Sequence, residues 1–555
     1  MAKQLARVFF LTAVSCASRG EDPQERREAP LAIPAGGAAA MSRIDAAYLR
    51  SIVAEFASDA MEGRAPGTPG DRRARAFLAR ELDRLGCERA AGLGGWEQRV
   101  PLVGLTAHMP ELWTFRAADG RETTLRWRDD YIAAAGVPER EVGVEGSEIV
   151  FVGYGIQAPE EGWDDFKGAP LRGKTLLMLN DDPDWDPELF GGERRLYYGR
   201  WTAKYESAAR QGAAGAIIIH TAESAGYPWS VVQTSWAGEQ CEVPGLDEPT
   251  VKIKAWLSYA AAQRLVALAH FELVGLIEKA RSRDFRPIPL GLQGAIRFTV
   301  SCREAESANV VGLLRGRDVE LSKEVVIFTA HHDHLGIGPA DASGDTVYNG
   351  AIDNGVAVAQ ALAVARAFAA LPEMPRRSVL FLFVAAEEQG LLGSRAYTQH
   401  PIFPLGQTVA NINFELGNVW GLTRDVTIHG MGKSTLEEVV AAGAATQGRT
   451  VGPELAVRDG WYYRSDQFSF ARVGVPAVWF RSGTDFVDRP REWGKACHAE
   501  WIATHYHRPS DEVDPNWDYA GLVQDAQLAF LVGWHVAETA APPAWYPGDE
   551  FASLR

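Results

Sequence analysis

Ser378-Val-Leu-Phe-Leu-Phe-Val-Ala385 is followed at once by Ala386-Glu-Glu388. The apolar run, bounded by polar residues, reads as a strand buried on both faces. Working outward, Val325-Val-Ile-Phe-Thr-Ala330 is a second such strand, and His331-His-Asp-His334 follows it directly. Val409 to Phe414 is a third, followed by Glu415, and Val475-Pro-Ala-Val-Trp-Phe480 is a later one. Between the first two strands in the chain, Val356 to Leu371 has the length and apolar content of a helix, with Asp353-Asn354 just ahead of it. Strand–helix alternation of this kind predicts an α/β fold with a mostly parallel sheet covered on both faces.

The polar residues matter by position. Open α/β sheets bind ligands outside the carboxyl ends of their strands. Here separate segments bring imidazole and carboxylates to that edge, and this ligand set suits zinc. His331 and Asp333 are spaced so that one can ligate a metal while the other orients it. The same pair also reads as an ordinary polar loop, and His332 and His334 are expected to stand aside. Glu387 and Glu388 repel one another unless a positive charge is near. One can hold metal while the other takes a proton from water. A solvated helix start is the plainer reading of the same two residues.

The chain has 555 residues, enough for two or three domains. Its net charge of −16 argues against nucleic acid as a partner, since phosphate needs a basic face. Residues 1–18 read as an export signal, with Lys3 and Arg7 ahead of the apolar run Val8 to Val14. Cys16 stands where a lipid anchor can attach. Residues 19–40 read as a linker, 41–105 as the N-terminal part of a catalytic domain, and 301–545 as its main part. Residues 106–300 have the texture of short strands and turns, contain no metal cluster, and read as an insertion. The expected location is secreted, periplasmic or envelope-anchored, with no transmembrane span. The scattered Cys87, Cys241, Cys302 and Cys497 do not form a thiolate zinc pattern.

Five ordered segments carry a resemblance: Thr329-Ala-His-His-Asp-His-Leu-Gly336, Asn349-Gly-Ala-Ile-Asp-Asn354, Ala385-Ala-Glu-Glu-Gln-Gly-Leu-Leu-Gly-Ser394, Arg464-Ser-Asp466 and Tyr506-His-Arg-Pro-Ser-Asp511. Together they resemble the di-zinc exopeptidase family of bacterial leucyl aminopeptidases and glutamate carboxypeptidase II. Residues 147–236 resemble the mainly β protease-associated domain inserted in many members. The resemblance implies a zinc-exopeptidase sandwich with two zinc ions per chain and a peptide substrate. It implies that Asp353 bridges the metals, that His331 and Glu415 complete one site, and that Glu388 and His507 complete the other. It makes Glu387 the general base and Asp333 the partner that orients His331. It further implies cleavage at peptide N-termini, with a glutamate-carboxypeptidase-like dipeptidase or a non-catalytic receptor-like protein as alternatives. Glu415 stands where Asp is usual, Ile352 where many aminopeptidases have Asp, and Gln467 where His is common. A nucleotide hydrolase is disfavoured: Gly432-Lys-Ser434 lacks the required earlier glycine, Thr427 standing there.

Overall fold

In the computed structural model, which describes residues 29–244, 250–454 and 456–555, alternate side chains of the strand Val325–His331 enter two different cores. Val326, Phe328 and Ala330 pack with Val358, Leu362 and Phe368 of the helix Val356–Ala369 and with Leu528 and Val532 of the helix Ala520–Glu538. Val325 and Ile327 join the opposite core with Tyr397, Phe468 and Phe470. Both faces are covered, which is why these strands read as continuous apolar runs rather than alternating ones.

Val325–His331 pairs in parallel with Ser378–Val384 on one side and Thr408–Asn413 on the other, and Thr408–Asn413 pairs in parallel with Ala477–Ser482. Antiparallel pairing of Asp425–His429 and of Ile288–Leu314 makes the whole a mixed sheet of 16 strands. The α/β fold expected from the strand–helix alternation is the one observed.

Phe328 anchors the sheet centre. It is fully buried, its ring stacks on Phe381 at 5.3 Å, and it also stacks on Phe414. Phe328→Ala should therefore cost about 3–5 kcal/mol, because the rings around it cannot collapse into the space left. The shift in the urea unfolding midpoint measures this. An unchanged midpoint would mean that the aromatic stack contributes nothing.

The segment 106–300 has cores of its own, one under Phe151, Leu177 and Ile217 and another under Val150, Leu176 and Ile218. Its strands Glu141–Phe151, Thr175–Leu179, Gly215–His220 and Ile253–Ser258 pair in parallel in chain order. Helices Trp201–Arg210, Trp229–Ser235, Tyr259–Leu268 and Leu273–Ala280 accompany them. The expected boundaries need correction. The junctions at 105/106 and 300/301 fall inside the strands Glu97–His108 and Ile288–Leu314, which pair with each other. The 27-residue strand Ile288–Leu314 begins beside Glu141–Phe151 and ends beside Ser378–Val384, so one sheet runs through both halves.

The expected signal segment 1–18, Cys16 and the linker as far as residue 28 lie outside the described residues. The rest of the expected linker packs on the body of the molecule, with Leu31 N–H donating to the Ala442 carbonyl at 3.3 Å. Cys87, Cys241, Cys302 and Cys497 are free thiols. Among the described residues no single helix is long and apolar enough to cross a membrane.

Candidate metal centre

Parallel pairing sets the ends of neighbouring strands side by side. His331 ends its strand level with Val384, just before Glu387 and Glu388. Glu415 follows the end of Thr408–Asn413 across Phe414. Asp353 lies in the irregular turn Ala351–Gly355 ahead of the helix Val356–Ala369. His507 comes from the loop after the helix Trp493–Thr504 and has a φ of +58°.

Asp353 stands in the middle of these side chains. Its Oδ1 is 3.3 Å from His331 Nε2, and its Oδ2 is 3.2 Å from His507 Nε2. Glu415 Oε1 is also 3.3 Å from His331 Nε2, and Glu388 Oε2 is 3.1 Å from His507 Nε2. The donors thus fall into two groups that share one aspartate. Glu387 lies at the edge of these groups, 3.9 Å from His331 Nε2, with a carboxylate oxygen within 4.8 Å of the ligand atoms of His331 and Glu388.

This arrangement has the character of a cation site. The carboxylates Asp333, Asp353, Glu387, Glu388, Glu415 and Asp466 are all at least largely buried. His507 Nε2 is buried within 3.2 Å of two carboxylates yet makes no well-directed hydrogen bond with either. Buried charges of one sign need compensation, and a lone ring nitrogen needs a partner. A cation between the groups would satisfy both, and imidazole with carboxylate suits zinc.

The adjacent glutamates are pushed in opposite directions. Burial raises the Glu387 carboxyl well above its usual range, and nearby Glu415 and Glu388 add to this against His331. Burial and Asp353 also act to raise Glu388, but His507 and His334 outweigh them and hold it at about 2. Two neighbouring carboxyls with opposed proton affinities are suited to different work.

Outer contacts hold this set in place. The Asp333 carboxylate accepts from the backbone N–H of Glu387 at 3.0 Å and of Glu388 at 3.3 Å. Its Oδ1 is 3.7 Å from His331 Nδ1, and its backbone carbonyl is nearer to that nitrogen, at 3.2 Å. Asp511 accepts from the Ile352 and Asp353 N–H groups, both at 3.0 Å. Ser465 Oγ donates to Glu415 Oε2 at 2.8 Å. The guanidinium of Arg64, fully buried, donates to the carbonyls of His332, Asn349 and Gly350 and ties the His331 and Asp353 loops together.

Several placements differ from, or add to, the sequence reading. His334, expected to stand aside, has Nδ1 only 2.6 Å from Glu388 Oε1. The ligand atoms of His334, Asp353 and Glu388 lie within 4.8 Å of one another. His332 does stand apart, against the Ala308 carbonyl at 3.1 Å. Gln467 points into the interior, where its Oε1 accepts from Asn413 Nδ2 at 2.8 Å. Lys433 of the Gly-Lys-Ser segment pairs with Glu550 at 2.7 Å. Arg64, Asp511 and Ser235 escaped notice as site residues. For Arg64 the one available signal was its place in a glycine-proline loop, where its φ is +54°.

A cavity opens beside Glu387 and His507, between the two halves of the molecule. Arg200, Trp201 and Tyr227 line it from the segment 106–300, and Tyr463, Arg464 and Tyr506 from the other side. Arg200 and Arg464 form no ion pair with a described residue, and burial, followed by the charge of Arg464, pushes Arg200 down to about 9.

Residues 309–531 match the model of Peptidase family M28. The vacuolar membrane protease of Aspergillus fumigatus (strain CBS 144.89 / FGSC A1163 / CEA10) is 31% identical over 119 residues, which are 19% of this chain and 11% of that protein. The protein of the same name from Aspergillus flavus is 31% identical over 119 residues, 12% of its length. The chain thus spans little more than a tenth of these curated relatives. Among solved structures, the aminopeptidase from Aneurinibacillus sp. strain AM-1 is similar in fold, with a TM-score of 0.54 at 18% identity, covering 92% of this chain and 98% of that chain.

Proposed function

We propose, from the peptidase family M28 domain over residues 309–531, that this chain is a zinc-dependent exopeptidase acting on peptides. The observation that carries the reading is the division of Asp353, one oxygen turned to His331, which also faces Glu415, and the other to His507, which also faces Glu388. Such a set suits two zinc ions that share one carboxylate. When bound, zinc supplies Lewis acidity to the scissile carbonyl and lowers the pKa of water. Glu387 takes a proton from the attacking water and returns it to the leaving nitrogen. Asp333 fixes the backbone that carries both glutamates, and Asp511 fixes the backbone of Asp353. The setting we propose is secreted, periplasmic or envelope-anchored, on the sequence of residues 1–18.

Removal of N-terminal residues is the first reading of its specificity. A second is favoured by Arg200 and Arg464, two guanidiniums in the cavity beside Glu387 that form no ion pair among the described residues. Guanidinium recognises carboxylate in a planar, two-point fashion. Such a pair suits a substrate that brings a terminal carboxylate or an acidic side chain. Free, N-acetylated and C-amidated dipeptides separate the two. An aminopeptidase cleaves the free and amidated peptides and spares the acetylated ones. A carboxylate-recognising dipeptidase cleaves acetylated peptides and loses activity on amides, and Arg200→Met should then raise its KM roughly 10-fold or more. Cleavage of internal bonds alone would overturn the exopeptidase reading.

A further inference from the structure

His507 is the donor least supported by its own surroundings. It lies in a loop, not at a strand end, and its ring leans on Tyr506 at 3.9 Å between centroids. Its inner nitrogen, Nε2, faces Asp353 and Glu388 at 3.2 and 3.1 Å. Its outer nitrogen, Nδ1, lies 2.7 Å from the hydroxyl of Ser235, 272 positions away in sequence. Ser235 ends the helix Trp229–Ser235 of the inserted segment. The same helix also holds the next residue of the loop, since Arg508 Nη2 donates to Ser230 Oγ at 3.0 Å.

A neutral imidazole carries one ring proton, and the partner of one nitrogen decides which one has it. When Nε2 binds a cation the ring proton sits on Nδ1, and a hydroxyl oxygen beside Nδ1 then accepts it and holds the ring in place. His331 gets its equivalent partner locally, from Asp333. For His507, nothing but Ser235 is within hydrogen-bond distance of Nδ1 among the described residues. We infer that Ser235 is a positioning residue: the segment 106–300, which supplies no metal donor among its described residues, holds the orientation of His507 through this hydroxyl.

The inference rests on the proposal that His507 holds metal, so metal binding is the measurement. Cobalt(II) uptake by the metal-free full chain, followed by its visible absorption and by competition with a chelator, is compared for the parent, Ser235→Ala and Ser235→Thr. The parent is expected to take up two cobalt ions. Ser235→Ala should bind one of them about 10- to 100-fold more weakly, in line with loss of an outer partner. Ser235→Thr keeps the hydroxyl and should stay close to the parent. An equal unfolding midpoint for the metal-free parent and Ser235→Ala separates this from a folding defect. Parent-like affinity at both sites in Ser235→Ala overturns the inference, and so does weakening in Ser235→Thr as large as in Ser235→Ala. A parent chain that takes up no divalent metal overturns the functional reading itself.

Discussion

Glu387→Gln is expected to lower turnover by about 100-fold or more while bound zinc stays at the parent level. Gln keeps the shape of Glu but cannot accept a proton from water. Glu387 lies to one side of the two donor groups, and its carboxyl has a raised proton affinity. That suits a group that takes up a proton during turnover rather than one that holds a cation. Zinc by elemental analysis and kcat should be measured on the same preparation. Loss of zinc from Glu387→Gln would move this residue into the donor set. Unchanged turnover would mean that the paired glutamates are only a buried acidic pair.

Asp353→Asn is expected to act on both donor groups at once. Each carboxylate oxygen faces a different imidazole, Oδ1 toward His331 and Oδ2 toward His507. An amide offers one neutral oxygen, a poorer zinc donor, and an NH₂ that repels the cation. Zinc content should fall below that of Glu415→Gln or Glu388→Gln, each of which touches one group only. Peptidase activity should drop to that of the chelator-treated parent, and zinc should restore the parent but not the variant. A variant that keeps its full zinc content and activity would remove Asp353 from the centre of the site.

The strand ends were legible in the sequence for a physical reason. A strand buried on both faces is mostly apolar, and here Thr329, Asn411 and Asn413 inside such strands hydrogen-bond one another, so the first ionisable side chain marks its end. His331, Glu387, Glu388 and Glu415 were visible in this way, and Asp353 by its place ahead of a helix. His507 was not, because a loop residue has no periodicity; only the resemblance of Tyr506-His-Arg-Pro-Ser-Asp511 pointed to it. Ser235, Arg64 and Asp511 act through contacts between distant parts of the chain. Serine and arginine at such positions look like any other surface residue until the fold is known. The contact of His334 with Glu388 was not legible, since the regular strand stops at His331 and the direction of the side chains beyond it follows no period. The limits expected for the segment 106–300 were not legible, since one long strand serves both halves, alternating in burial through its first part and buried throughout at its end.

That strand bears on how such a molecule can be rebuilt. Ile288–Leu314 pairs with Glu141–Phe151 near its start and with Ser378–Val384 at its end. A recombination joint placed within it would cut through a ladder used by both halves, and a joint placed beside it would leave one half without its edge partner. Grafting the wall of this cavity onto another enzyme therefore requires transplanting the whole ribbon formed by Glu97–His108 and Ile288–Leu314. The two halves are joined as a unit by this ladder, so altering the specificity of the cavity is a matter of exchanging loops and side chains, not modules.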